Sequence, residues 1–376
     1  MWTLNLTQDR LTSRASLSFY KPPFGVACPG MKGFVNKFAA LLFLIVLFCI
    51  SGLAQVTAKD LAVAANPDAA SSSSVETFTT ASLNGSQLHA DPPEPVEKSE
   101  GNGFVREFVN VRWRPADDIH LYVVRPKNAK KSPVVLYLYG YPSESDRFLD
   151  DGWCQRVTSG GYAAVGFVSA LTGQRYHGRP MKEWFVSEMQ EALATSAHDV
   201  QMIPNYLAER GDMDMNRVGM FGAGSGGTIA ILASSADPRI KAIDVLDPWG
   251  DWPVWMTKSE VVPDEERAAY TKPEFLRKIA DFDPVALLPK VKAERIRLVQ
   301  LQEDADSTPE EAKKRMEVAL PRSGEAHNYE SNAAYYGAIA SGGRVFDWLK
   351  AQLKTEAQAP GDEQASGAKG AGPSAR

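Results

Sequence analysis

The segment Gly222–Gly227 (GAGSGG) has the composition of a sharp turn between a strand and a helix. It follows directly on Arg217–Phe221, which is predicted to be a buried strand. A serine at the apex of such a turn can act as a nucleophile when a histidine and a carboxylate accompany it. Counted from the strand, the apex falls on Gly224, and Ser225 lies one residue later. The chemistry available at this turn therefore depends on its register.

A second register places Ser225 at the apex, with Ala223 two residues before it and Gly227 two residues after it. The strand would then have to run one residue longer and the helix start one residue later. Such a slip would turn every side chain of a buried strand to the opposite face. The pattern favours Gly224 at the apex, where glycine tolerates the strained backbone better than serine.

Two further residue types needed for serine chemistry occur later in the chain. Asp304 and Asp306 precede the helix predicted to start at Pro309, and His327 lies where the last strand should run. Together with Ser225 they follow the order serine, acid, histidine. The structural alternative is that both carboxylates are solvated, with Asp306 capping the helix, and that His327 is a packing residue.

The elements that must position these residues alternate between strands and helices, which predicts an α/β fold with a mostly parallel sheet flanked by helices. The predicted elements are a hairpin over 105–111 and 119–124, strands at 133–139, 162–168, 217–221, 241–246 and 296–301, and helices at 181–209, 309–320 and 343–353. A charged helical insertion over about 250–283 is predicted to form a small lid.

Several short motifs resemble those of the α/β-hydrolase superfamily, particularly its prolyl-oligopeptidase and dienelactone-hydrolase-like branch. The resemblance covers nearly all of residues 104–353. The motifs that carry it are Tyr139–Pro142, His198–Val200, Asn205–Leu207, Asp214–Gly222, Thr308–Pro309 and Phe346–Leu349.

This resemblance implies a degenerate catalytic site. The family's serine corresponds to Gly224, its aspartate to Ala305, and its late histidine to the segment Glu330–Tyr335, which contains no histidine. Three changed positions together predict a protein that binds a small anionic or carbonyl ligand, or a partner, without catalysis. The alternative is an active serine hydrolase using Ser225, Asp304 or Asp306, and His327.

The resemblance also implies a pocket at the turn. Backbone N–H groups of Ser225 and of the Tyr141 region would point at a common spot at the start of a helix, where an anion is favoured. Trp249, Trp252 and Trp255, in the segment after the next strand, are expected either to line this pocket or to pack in the core. The predicted pocket residues are Gly140, Tyr141, Gly224, Ser225, Gly226, Trp249 and Trp252.

The chain ends predict export. Residues 1–54 contain an apolar run at 38–53 behind Lys32 and Lys37, as in a signal peptide; the alternative is an uncleaved membrane anchor. Residues 55–103 and 355–376 are rich in small and polar residues and are predicted to be a disordered linker and tail. The domain is predicted to span 104–354.

Composition narrows the possible partners. The net charge of −5 argues against a nucleic-acid surface. Cys154 is the only cysteine in the predicted domain, so no disulfide within it is expected, and no cysteine–histidine spacing suggests zinc. We expect a small-molecule ligand or substrate, no cofactor, and membrane contact only through the N-terminal segment. The oligomeric state is left open.

Overall fold

The computed structural model describes residues 76–84, 86, 88–114, 117–140, 146–172, 181–303, 308–341 and 346–354. No helix within these ranges is long and apolar enough to cross a membrane. The predicted apolar segment at 38–53 and the predicted tail at 355–376 lie outside the described residues.

A single sheet of nine strands is formed by the described residues, in the order β1-β2-β3-β5-β4-β6-β7-β8-β9. The strands are β1 (Glu94–Glu100), β2 (Phe104–Arg114), β3 (Asp117–Pro126), β4 (Ser132–Leu138), β5 (Ala163–Phe167), β6 (Met213–Ala223), β7 (Ile240–Leu246), β8 (Arg295–Leu301) and β9 (Gly324–Tyr329). Strands β1 to β3 pair antiparallel, β3 pairs antiparallel with β5, and all later pairs are parallel.

Helices cover both faces of this sheet. They are α1 (Asp151–Thr158), α2 (Met181–Arg210), α3 (Ser225–Ala236), α4 (Trp252–Lys258), α5 (Asp264–Tyr270), α6 (Pro273–Ile279), α7 (Pro284–Leu287), α8 (Glu310–Ala319), α9 (Asn332–Ser341) and α10 (Asp347–Gln352). Buried residues of α2 and α3 belong to one apolar cluster, and those of α1 and α10 belong to a second. The predicted α/β class is confirmed, because two helical layers enclose a mostly parallel sheet.

The continuous apolar runs of the sequence mark the centre of the sheet. Every residue of β4 and β5 is buried, as expected for strands covered on both faces. The predicted opening hairpin is confirmed by β2 and β3, which pair from Phe104 opposite Pro126 to Arg114 opposite Asp117.

The predicted linker over 55–103 ends earlier than expected. Within it, β1 pairs antiparallel with β2 along Glu94–Glu100. Nearly all side chains of β1 are exposed, so its hydrogen bonds with β2 hold it in the sheet with little help from apolar burial. The polar, proline-containing segment Glu94–Glu100 was therefore predicted to be part of a linker, although it forms an edge strand.

Residues before β1 are also fixed to the domain. The Glu76 carboxylate lies 2.6 Å from Nδ1 of His198 and 2.6 Å from Nη2 of Arg114. Burial alone would raise the pKa of Glu76, but hydrogen bonds from His198 and Arg114 hold it below its usual range. Gln201 of α2 accepts a hydrogen bond from the Leu83 amide at 3.1 Å. The domain thus begins at least as early as Glu76.

The helical insertion predicted at 250–283 is present as α4, α5 and α6. Its large apolar side chains are buried in the main core cluster, among them Trp255, Tyr270 and Phe282. The start of α4 is held by Asp283, whose carboxylate accepts hydrogen bonds of 2.9 Å from the amides of Asp251 and Trp252. The insertion is therefore packed onto the domain through its own apolar face.

Candidate functional site

The turn between β6 and α3 bends sharply at Gly224. Strand β6 ends at Ala223, Gly224 has φ 52° and ψ −120°, and α3 begins at Ser225. This backbone conformation is strained for any residue with a side chain. The amide of Gly224 donates a 2.9 Å hydrogen bond to the carbonyl of Leu246, the last residue of β7. The turn therefore lies at the edge where the parallel strands end.

Two neighbouring glycines are required by close packing. A Cβ atom on Gly226 would lie 1.9 Å from the carbonyl oxygen of Leu138, and one on Gly222 would lie 2.3 Å from the carbonyl oxygen of Gly226. Both distances are far below van der Waals contact. These glycines let α3 start directly against the ends of β4 and β6.

The apex itself is less crowded. A Cβ atom on Gly224 would lie 3.6 Å from Nε1 of Trp249 and 3.8 Å from Cα of Gly140, which are ordinary contact distances. Gly140 and Trp249 therefore border the space into which an apex side chain would project. In this chain that space receives no side chain from the turn.

Ser225 is placed in the first turn of α3 with no solvent exposure. Its backbone N–H belongs to the first turn of the helix. The backbone N–H of Ser225 therefore lies at the β6–α3 turn.

The structure does not bring His327 to this turn. His327 lies in β9, opposite Val299 of β8, and its Nε2 is 3.4 Å from Oε2 of Glu325. Strands β7 and β8 separate β9 from β6, and three strand spacings of about 4.8 Å amount to roughly 14 Å. The fully buried Ser225, which follows β6, and the half-exposed imidazole of His327 on β9 are therefore separated across the sheet.

The remaining predicted residues divide into two groups. Trp249 borders Gly224, whereas Trp252 is 1% exposed and packs edge-on against Trp255 at 5.7 Å between ring centres. Trp252 thus belongs to the core and Trp249 to both the core and the turn. The others lie outside the described residues: Tyr141, Asp304, Ala305 and Asp306.

A cationic and aromatic cluster around Tyr139 was missed by sequence reasoning. The guanidinium of Arg147 lies 5.0 Å from the ring centre of Tyr139 and 6.0 Å from that of Tyr336 in α9. Tyr139 is the direct neighbour of Gly140, and burial raises the pKa of its phenol. No sequence signal joins these residues, because three separate segments supply them.

An ion pair at the ends of β7 and β8 was also missed. Asp247, with φ 44°, directly follows β7, and Nζ of Lys313 in α8 lies 3.3 Å from its Oδ1. Both side chains are buried, and Lys313 also donates to the carbonyl of Leu301. The Asp247 carboxylate is thus paired with Lys313 at the ends of β7 and β8. The sequence did offer one signal for this pair, an aspartate directly after a predicted strand.

Among the described residues, no group of three or more histidine, cysteine, aspartate or glutamate side chains could hold a metal ion. The site consists of the glycine turn, Gly140 and Trp249, with the Arg147 cluster connected to it through Tyr139, the neighbour of Gly140. Backbone amides, one indole and one guanidinium can bind an anion or a carbonyl oxygen.

No protein-family model and no curated protein sequence matches the chain. Solved structures are similar to it in fold. Acetyl xylan esterase from Paenibacillus sp. R4 is 18% identical, with 71% of this chain and 90% of that chain covered and a TM-score of 0.56. Acetyl xylan esterase 1 from Thermoanaerobacterium sp. JW/SL YS485 is 16% identical, covering 70% and 89%, with a TM-score of 0.52.

An S-formylglutathione hydrolase from Agrobacterium tumefaciens is 15% identical, with 69% of this chain and 100% of that chain covered and a TM-score of 0.52. At such identities the likeness concerns the fold, whose function must be argued from the site. These matches agree with the mostly parallel sheet and the flanking helices. The chain has the α/β-hydrolase fold.

Proposed function

We propose that this protein descends from serine esterases, has lost their chemistry, and binds a small anionic or carbonyl-bearing ligand at the β6–α3 turn. The observation that carries the proposal is Gly224, which occupies the apex with φ 52° and leaves the turn without a nucleophile. A serine hydrolase needs a hydroxyl at this point, a base to take its proton and an acid to orient the base.

What remains at the turn supports binding. The glycines at 222 and 226 keep the start of α3 close to the strand ends, and the apex at Gly224 lies beside Gly140. The positive end of a helix stabilises carboxylates, phosphates and polarised carbonyls. Arg147 adds a full positive charge next to Tyr139. These groups suit a ligand that carries negative charge or a carbonyl oxygen.

Catalysis can be tested with 4-nitrophenyl acetate. We expect the wild-type chain and Ser225→Ala to hydrolyse it at the same rate, close to the uncatalysed background. Turnover that is present in the wild type and disappears in Ser225→Ala would instead support the alternative, in which Ser225 acts with Asp304 or Asp306 and His327.

Binding can be tested with acetate and butyrate, followed by tryptophan fluorescence because Trp249 borders the apex. We expect Gly224→Ala to weaken binding, since the new methyl group projects between Trp249 and Gly140. Gly211→Ala is the matched control: Gly211 also has a positive φ, 76°, but an added Cβ there meets nothing within 4 Å. Equal affinity in both variants would contradict a site at the turn.

Export is the second part of the proposal. The apolar run at 38–53 behind two lysines supports it, with Gly52 and Ala54 as small residues for a signal peptidase. Mass spectrometry of the protein recovered from a secreting host should show a new N-terminus close to Ala54. Recovery of the intact chain in the membrane fraction would support an uncleaved anchor.

A further inference from the structure

A large cavity lies at the opposite edge of the sheet from the Gly224 turn. It has a volume of about 1070 Å³ and is bordered by the segments that lead into β4 and β5, by the early part of β6, and by α10. Its charged lining residues among those described are Lys130, Lys131, Arg217, Asp347, Lys350 and Lys354. Five of these side chains are basic and one is acidic, so the cavity carries excess positive charge.

The excess is only partly balanced by neighbouring groups. Arg217 donates to Oδ2 of Asp214 at 2.7 Å. Lys130, Lys131 and Lys354 are exposed, and none of them forms an ion pair with a carboxylate in the described part of the chain. Three ammonium groups from two separate segments therefore remain available to one ligand.

Lys350 fixes one wall of the cavity. Its buried ammonium donates to the carbonyl oxygens of Arg156 and Ser159, at 3.0 and 3.1 Å, and to Oγ of Ser159 at 2.9 Å. The hydroxyl of Tyr162 donates in return to the Lys350 carbonyl at 2.6 Å. These bonds tie α10 to the end of α1, so the wall exists before a ligand arrives. None of the three acceptors of the ammonium is a carboxylate, so its charge adds to the field of the cavity.

The loop beside Lys350, between Ser159 and Tyr162, exposes backbone. Gly160 and Gly161 have φ values of 75° and 89°, and an added Cβ on Gly161 would meet nothing within 4 Å. Backbone without side chains can approach a ligand closely. The volume is near the upper end of the roughly 300–1,000 Å³ range of small-molecule sites.

We propose that this cavity binds a small polyanion, held by Lys130, Lys131 and Lys354, at a site separate from the β6–α3 turn. A fitting ligand carries several phosphate or carboxylate groups on one molecule. This is because the ammonium groups belong to two separate segments that line the cavity. Lysine acts towards such groups as a point charge.

Isothermal titration calorimetry of the full chain in 150 mM salt tests the proposal, with tripolyphosphate and citrate as separate probes. Saturable binding of either probe, at one ligand per chain, supports it and identifies phosphate or carboxylate as the preferred group. Lys131→Gln and Lys354→Gln should each weaken binding about fivefold, and the double variant roughly 25-fold if the effects add.

Lys272→Gln is the matched control, since Lys272 is an exposed lysine at the start of α6, away from the cavity. Circular dichroism should show that all variants fold. The absence of saturable binding to both probes would overturn the proposal, as would an equal loss of affinity in Lys272→Gln. Because the β6–α3 turn is not altered, neither result bears on the proposed loss of catalysis.

Discussion

The two edges of the parallel sheet differ in how the chain has filled them. At the carboxyl edge, backbone packs against backbone around Gly222 and Gly226, and the apex at Gly224 has no side chain. At the amino edge, an open cavity collects basic side chains around Lys350. Close packing of the backbone thus determines which residues form the turn at the carboxyl edge, whereas basic side chains gather in the cavity at the amino edge.

The largest effect is expected where packing determines the residue. Gly226→Ala should reduce the free energy of unfolding by about 3 kcal/mol, because the new Cβ would lie 1.9 Å from the Leu138 carbonyl oxygen and α3 would have to move. Urea unfolding followed by circular dichroism measures this loss. A loss well below about 1 kcal/mol would show that the turn is not held by close packing.

An intermediate effect is expected at the opposite edge. Lys350→Met removes three part-buried, charge-assisted hydrogen bonds to Arg156 and Ser159, which should destabilise the fold by about 1–3 kcal/mol. The same urea titration measures it. A variant as stable as the wild type would mean that Lys350 does not fix the cavity wall.

A separate prediction concerns how the difference in stability between the wild type and Lys350→Met depends on pH. Burial lowers the pKa of Lys350 from its ordinary value of 10.5 to about 8, although Asp347 opposes the change. Between these values the unfolded chain holds a proton that the folded chain has lost, so stability rises with pH. The stability of the wild type relative to Lys350→Met should therefore increase between pH 8 and 10. A decrease over this window would contradict a desolvated ammonium.

The smallest effect is expected at the apex. Gly224→Ala and Gly211→Ala both put a side chain at a positive φ, 52° and 76°, and each should destabilise the fold by about 1–2 kcal/mol. Urea unfolding should give similar losses for the two variants, since an added Cβ meets no close contact at either position. A much larger loss at Gly224 would place the apex among the tightly packed glycines.

The sequence predicted those parts of the fold that depend on buried apolar runs. Strand β4 and the β2–β3 hairpin were found this way, and counting from β6 placed the turn at Gly224. Strand β1 escaped prediction because its side chains are exposed and it is held by backbone pairing with β2.

The candidate site was predictable only where one segment builds it. The glycines of the turn are consecutive in the chain, so their spacing could be read directly. The cluster of Tyr139, Arg147 and Tyr336 and the Asp247–Lys313 pair join distant segments, and only the folded chain brings them together. The same holds for the separation of His327 from Ser225, which follows from the strand order.

The central claim is that the β6–α3 turn carries no reactive serine. The most direct measurement is the intact mass of the purified chain after exposure to a fluorophosphonate, with an active serine esterase labelled in parallel. We predict no adduct on the wild type and an identical spectrum for Ser225→Ala. A stoichiometric adduct on the wild type that maps to Ser225, and is absent from Ser225→Ala, would contradict the account.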